Sequence, residues 1–151
     1  DIVYDCGAGT GSVSVELALA AGKGRVYAVE CDPEGIELIR RNGEKFGCRN
    51  LTAVEGMAPQ VLEGLPAPDA VFIGGSKGSL RAVVDAALAA NPDARLCISA
   101  IALETLQQSI AALAAHGLAA QVTQIAVSRS KAAGSLHLMM ANNPVFLIVR
   151  E

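Results

Sequence analysis

The sequence predicts an α/β protein, a doubly wound and mostly parallel sheet of seven strands with an antiparallel strand pair at its C-terminal edge. Three observations predict it. Short apolar runs alternate with longer stretches of helical period, the order that places helices on both faces of a parallel sheet. The glycine-rich run Asp5-Cys6-Gly7-Ala8-Gly9-Thr10-Gly11-Ser12 follows directly on the apolar segment Ile2-Val3-Tyr4. The length of 151 residues, 52% of them hydrophobic, suits one domain that buries roughly 70% of its extended-chain surface.

Each element has a local reason. Residues 1–6 form the first strand. The glycine loop turns it into a helix over 12–21, which Gly22 and Gly24 end. Residues 25–30 are the second strand. Asp32 then caps a helix with Pro33 at its first position, where a missing N–H is harmless. That helix runs to about Phe46 and stops at Gly47. Residues 51–54 are the third strand, and 57–65 hold a short helix. The fourth strand, 69–73, enters Gly74-Gly75-Ser76. A helix over 80–90 is broken by Asn91-Pro92-Asp93. The fifth strand is 95–100, and a helix over 103–115 closes at His116-Gly117. The tail has two strand-like stretches, 120–128 and 136–149. No helix separates them, so they are expected to pair antiparallel at the far edge, with Asn142-Asn143-Pro144-Val145 as a turn before the last strand. No repeat or linker interrupts the chain, so residues 1–151 read as a single domain. Residue 1 already lies in a strand, so the parent chain is expected to carry further N-terminal residues.

Composition excludes several function classes. Aromatic content is 3% without tryptophan, and the net charge is −3. Neither suits a stacking platform or a general polyanion surface, so no nucleic-acid partner is expected. No stretch is long and apolar enough to span a membrane, and none resembles a signal peptide. Cys6, Cys31, Cys48 and Cys97 lack metal-ligand spacing, and there are two histidines. No metal site is expected, and the cysteines read as reduced thiols of a cytoplasmic protein.

The glycine loop carries the chemistry. Glycines at alternate positions after a first strand cradle a nucleotide-type cofactor, with the N–H groups of the following helix facing the loop. The spacing departs from the dinucleotide pattern G-x-G-x-x-G, because the third glycine comes one residue early. Asp5 sits two residues before the first glycine. A carboxylate there disfavours a pyrophosphate and favours a sulfonium and an ammonium. Glu30 ends the second strand, where it can accept both ribose hydroxyls. The pattern D-x-G-x-G-x-G resembles the signature of S-adenosylmethionine (SAM) methyltransferases, whose product is S-adenosylhomocysteine.

Five segments narrow the resemblance: Asp5 to Glu16, Val29-Glu30-Cys31-Asp32-Pro33-Glu34, Val71-Phe72-Ile73-Gly74-Gly75-Ser76, Ala100-Ile101-Ala102-Leu103-Glu104-Thr105, and Met139-Met140-Ala141-Asn142-Asn143-Pro144-Val145. In this order they resemble the decarboxylating precorrin-6B C15-methyltransferases of cobalamin biosynthesis, which in some organisms form the C-terminal half of a fused C5,15-methyltransferase. The resemblance covers essentially the whole chain. It implies a class I SAM-methyltransferase fold, a tetrapyrrole substrate with or without cobalt, and a homo-oligomer, a tetramer whose tail strands contribute across subunits.

The site follows from loop and resemblance together. The cofactor candidates are Asp5, Gly7, Ala8, Gly9, Thr10, Gly11, Glu30, Cys31, Met57, Ala58 and Gly74. The run Glu55-Gly56-Met57-Ala58 departs from the family, which often places an aspartate near position 57 to bond the adenine amino group. Backbone groups of Met57 and Ala58 are expected to replace it. The candidates for the substrate are Gly75, Lys77, Thr105 and Arg129, with Arg81 and Lys131 as further cations for its carboxylates and Ser99 as a further donor. Ser76 and Glu104 are the catalytic candidates. Glu104 also reads as a first-turn helix acid favoured by the macrodipole, and His137 as an ordinary strand residue. The rival readings are a methyltransferase for another small molecule or RNA, an NAD-type oxidoreductase, and a binding module that keeps the fold without activity.

Overall fold

The structure, a computed structural model, describes residues 1–150. Five strands and four α-helices follow the expected alternation through residue 114, and four more strands follow among the described residues. They are β1 (Ile2–Cys6), α1 (Ser12–Ala21), β2 (Arg25–Glu30), α2 (Pro33–Lys45), β3 (Leu51–Glu55), β4 (Ala70–Ile73), α3 (Leu80–Ala90), β5 (Arg95–Ala100), α4 (Leu103–Ala114), β6 (Ala120–Ile125), β7 (Ser128–Ala133), β8 (Leu136–Ala141) and β9 (Val145–Arg150). The segment between β3 and β4 winds as a 3-10 helix, Gln60–Gly64, within the stretch 57–65 expected to hold a short helix.

Seven strands form one sheet in the order β3-β2-β1-β4-β5-β9-β6. β1 to β5 are mutually parallel, and β9 lies antiparallel between β5 and β6. The strand order reverses between β1 and β4. There the helices that follow β1 and β4 pack on opposite faces, and a crevice opens at the carboxyl ends of the strands.

Alternation along each strand explains the two cores. Tyr4, Val71, Ile73, Leu96, Ile98 and Ile148 point to one face, where they pack with the buried residues of α3 and α4. Val3 and Val26 point to the other and meet Val15 and Ala18 of α1. Ala28 meets Ile36 and Ile39 of α2. The N-terminus of α2 is capped as the sequence predicts: the Asp32 side chain accepts from the Glu34 N–H at 3.0 Å, with Pro33 first in the helix.

The tail corrects the sequence reading. The antiparallel pair at the edge is present as β6 and β9, but 120–128 and 136–149 are not two continuous strands. β6 stops at Ile125, and 136–149 divides into β8 and β9 at Asn142-Asn143-Pro144, where Pro144 offers no N–H to a ladder. The missed strand β7, Ser128-Arg129-Ser130-Lys131-Ala132-Ala133, has little intrinsic strand preference and pairs only with β8. Arg129 and Lys131 therefore lie on a strand. The β7-β8 hairpin stands apart from the main sheet, and all twelve of its strand residues are exposed. Among the described residues, no helix is long and apolar enough to cross a membrane.

Ile148 is fully buried where the antiparallel strand crosses the α4 side of the core. Ile148→Ala is expected to lower the unfolding free energy by about 2–5 kcal/mol, read as a lower urea midpoint with an unchanged slope.

Candidate functional site

The loop after β1 is held by its neighbours on both sides. The N–H groups of Gly7 and Ala8 both donate to the Val29 carbonyl of β2, at 3.0 and 3.1 Å. Across the crevice, Gly74 and Gly75 donate to the Cys6 carbonyl at 3.0 and 3.4 Å. Gly7 has φ 76°, and a Cβ there would stand 2.0 Å from the Gly75 carbonyl oxygen. Glycine is thus required by conformation and by space. Gly11 is the N-cap of α1 and supplies no side chain, which leaves the first N–H groups of the helix directed at the loop.

Glu30 is built into this loop. Its Oε2 accepts from the Gly9 N–H at 2.9 Å, and its Oε1 accepts from the Cys31 and Asp32 N–H groups at 2.8 and 2.9 Å. Burial works to raise its pKa, but these donors outweigh burial and hold the carboxylate below its ordinary range. It is an anchored acceptor with lone pairs to spare. The close approach of α2 depends on Gly35, where a Cβ would fall 2.8 Å from Glu30 Cγ and 2.9 Å from the Gly9 carbonyl oxygen. The sequence reading missed Gly35. Its signal was a glycine inside a helix that is otherwise strongly amphipathic.

Asp5 is nearly inaccessible, at 1% exposure. Ser14 of α1 donates its hydroxyl to Asp5 Oδ2, while Oδ1 is buried without a partner. Burial pushes this carboxyl up to about 6, against the lowering effect of the Ser14 bond and with a further rise from the Glu30 charge.

Two cavities open at the crevice. The first, of about 210 Å³, is lined by Gly7, Glu30, Cys31, Met57, Ala58 and the segment Gly75-Ser76-Lys77, among others. The second, of about 300 Å³, lies over β4 and β5 and takes in Gly74, Ser99, Thr105 and Gln108. Gly75, Ser76 and Lys77 line both and form the wall between them. Lys77 has φ 45° and holds its ammonium 3.0 Å from Cys31 Sγ, so the wall bridges to the far lip of the first cavity. Ser79 donates to the Ala58 carbonyl at 3.1 Å and fixes the segment around Met57.

The expected residues divide accordingly. Asp5, Gly7, Ala8, Gly9, Thr10, Gly11, Glu30, Cys31, Met57 and Ala58 gather in and around the loops that frame the first cavity. Gly74 and Thr105 line the second. Glu104 is exposed in the first turn of α4, outside the lining of either cavity. Arg129 and Lys131 sit on the exposed hairpin. Arg81 faces away in an exposed ion pair with Asp85 at 2.8 Å. Gln108 was missed, because a glutamine one turn beyond Thr105 on a helix carries no sequence signal. No group of three or more His, Cys, Asp or Glu suited to a metal occurs among the described residues.

The cradle fits a SAM-type cofactor on its own terms. It offers an anchored carboxylate on the β2 side, a buried carboxylate with an unpartnered oxygen behind the loop, and a glycine-rich backbone between them. Comparison with known proteins gives the family. The precorrin methyltransferase domain family matches residues 1–150. A probable cobalt-precorrin-6B C(15)-methyltransferase (decarboxylating) of Pyrobaculum calidifontis is 43% identical over 149 residues, 97% of this chain and 76% of that protein. The crystal structure of a precorrin-6y C5,15-methyltransferase from Geobacter metallireducens superposes with a TM-score of 0.92 at 36% identity, covering 99% of this chain and 78% of that one. A precorrin 8w decarboxylase from Methanobacterium thermoautotrophicum gives 0.90 at 34% identity, over 100% and 81% of the two chains.

Asp5 sets a stability signature. Its folded pKa of about 6 lies above the ordinary 3.8, so the folded state binds more protons than the unfolded state between those values. Stability therefore falls as pH rises through about 4 to 6, and the ionised carboxylate costs about 3 kcal/mol above that window. Asp5→Asn is expected to unfold at higher urea than wild type at pH 7.5, and to lack this acid-side decline. Equal midpoints at pH 7.5 would contradict the assignment.

Proposed function

The chain belongs to the precorrin methyltransferase family, and from that premise we propose that it methylates C15 of precorrin-6B, or of its cobalt form, and releases the C12 acetate carboxyl as carbon dioxide. SAM is the proposed methyl donor. The observation that carries the proposal is the pair of cavities divided by Gly75-Ser76-Lys77. Such an arrangement gives donor and acceptor adjacent seats that share Gly75-Ser76-Lys77, as transfer between two partners held side by side requires.

When bound, the cofactor supplies a methyl group on a sulfonium. The protein aligns and encloses. Gly7, Ala8, Gly9, Thr10 and Gly11 would present backbone to the cofactor, Glu30 would accept from its ribose hydroxyls, and the Asp5 charge behind the loop would attract its ammonium. Cys31, Met57 and Ala58 bound the adenine end. Gly74, Gly75 and Ser76 flank the passage to the acceptor. An electron-rich tetrapyrrole carbon needs no strong base, and the conjugated ring takes up the electrons left by carbon dioxide. The carbon that lost the carboxyl must then be protonated. Ser76, which faces both cavities, and the Thr105 hydroxyl are the donors at hand. Lys77 is raised above its ordinary pKa, first by the hydrogen bond to Cys31, and so stays cationic to hold a substrate carboxylate. Glu104 is proposed for sensing carboxylates at the rim of α4.

A second copy of the chain completes the reading. An isolated two-stranded hairpin is marginal in water, yet β7-β8 carries Leu136, Leu138 and Met140 on one face beside Arg129 and Lys131. We place this face against another subunit, in a homo-oligomer in which Arg129 serves as a substrate cation. Leu138→Lys is expected to lower the mass measured by sedimentation equilibrium. Retention of the wild-type mass would remove the hairpin from the interface.

The function is tested by incubating the protein with SAM and precorrin-6B and weighing the tetrapyrrole. Gain of one methyl together with loss of carbon dioxide is the expected result. An unchanged tetrapyrrole, with S-adenosylhomocysteine still bound, would redirect the substrate to another small molecule or RNA.

A further inference from the structure

We propose that Ser14 is a positioning residue for the cofactor's amino-acid end: its hydroxyl fixes Oδ2 of Asp5 and keeps ionised a carboxylate enclosed behind the glycine loop, whose charge attracts the cofactor ammonium across that loop. The proposal deepens the SAM reading and rests on it.

The geometry is specific. Ser14 lies in the first turn of α1, fully buried, and its hydroxyl has no solvent to bond. It reaches back across the glycine loop to a carboxylate that is itself 1% exposed. A serine in a first helical turn most often serves its own backbone or solvent; this one serves a strand residue nine positions earlier. Asp5 Oδ1 is the buried side-chain oxygen with no partner among the described residues. An ionised acceptor buried without a partner is destabilising, and a cation held on the far side of the loop offsets its charge.

The groups around Asp5 oppose its ionisation. On β2, Glu30 adds a like charge. On β1, the flanking Cys6 thiol is pushed up to about 12 by burial and stays neutral. On β4, the register partner is Phe72, which is apolar. Ser14, from α1, is the group that favours the charged form. A hydrogen bond to a charged acceptor is strong enough to move a pKa by about one unit.

The test combines two readouts on the whole protein. Side-chain ¹³C NMR of Asp5, without ligand, is expected to show a wild-type midpoint near 6, and one about one pH unit higher in Ser14→Ala. S-adenosylhomocysteine binding by calorimetry is expected to be about fivefold weaker in Ser14→Ala at pH 6, with the deficit shrinking to within about twofold at pH 7.5. Ser14→Thr, which keeps the hydroxyl, is expected to restore the wild-type midpoint. A deficit that does not change with pH would overturn the proposal and leave Ser14 as packing. So would a wild-type Asp5 that titrates in the ordinary carboxylate range. If wild type binds no S-adenosylhomocysteine at any pH, the cofactor reading itself falls, and the proposal falls with it.

Discussion

The rest of the site depends on one close approach, the contact of the backbone at Gly7 with the backbone at Gly75. The β1 loop and the β4 loop leave the sheet on neighbouring strands, and the Cys6 carbonyl takes N–H groups from Gly74 and Gly75. Val29 draws the other side of the same loop toward β2. With the loop tied to both neighbours, the cavities on either side of Gly75-Ser76-Lys77 have a rigid common wall. A side chain at position 7 would force the wall and the loop apart, because the atom it meets is backbone.

Two carboxylates near this loop are driven in opposite directions by their surroundings. Glu30 stands at the mouth with backbone N–H groups on both oxygens and is held ionised. Asp5 is enclosed behind the loop with one hydroxyl donor, and burial holds its carboxyl high. Donor count and solvent explain the contrast, since both are acids at strand ends. The folded chain alone does not relieve the strain at Asp5, which is what a site prepared for a cation requires.

The hairpin follows another logic. The main sheet buries both faces of its central strands between helices, whereas β7 and β8 expose both. Apolar residues there have no intramolecular core to join. Leu136, Leu138 and Met140 share a face because they are alternate residues of one strand, and the pairing register with β7 sets Lys131 and Arg129 beside them.

The sequence by itself determined the sheet, its helices and the cofactor loop. The signals there are local: glycine spacing after β1, Asp32-Pro33 at the start of α2, Asn91-Pro92 at the end of α3, and apolar periods that differ between strand and helix. Asp5 and Glu30 were legible for the same reason, as acids at strand ends beside glycines. Tertiary structure alone decided the rest. The approach of Gly35 to Glu30, the reach of Ser14 to Asp5 and the bridge from Lys77 to Cys31 join residues on different elements, and nothing in their local sequence encodes the distance. Likewise, Thr105 faces the second cavity and Glu104 does not, because one residue along a helix rotates the side chain by about 100°. The tail strand β7 was illegible because its polar and small residues have no period to read, and its pairing with β8 supplies the order that the residues lack.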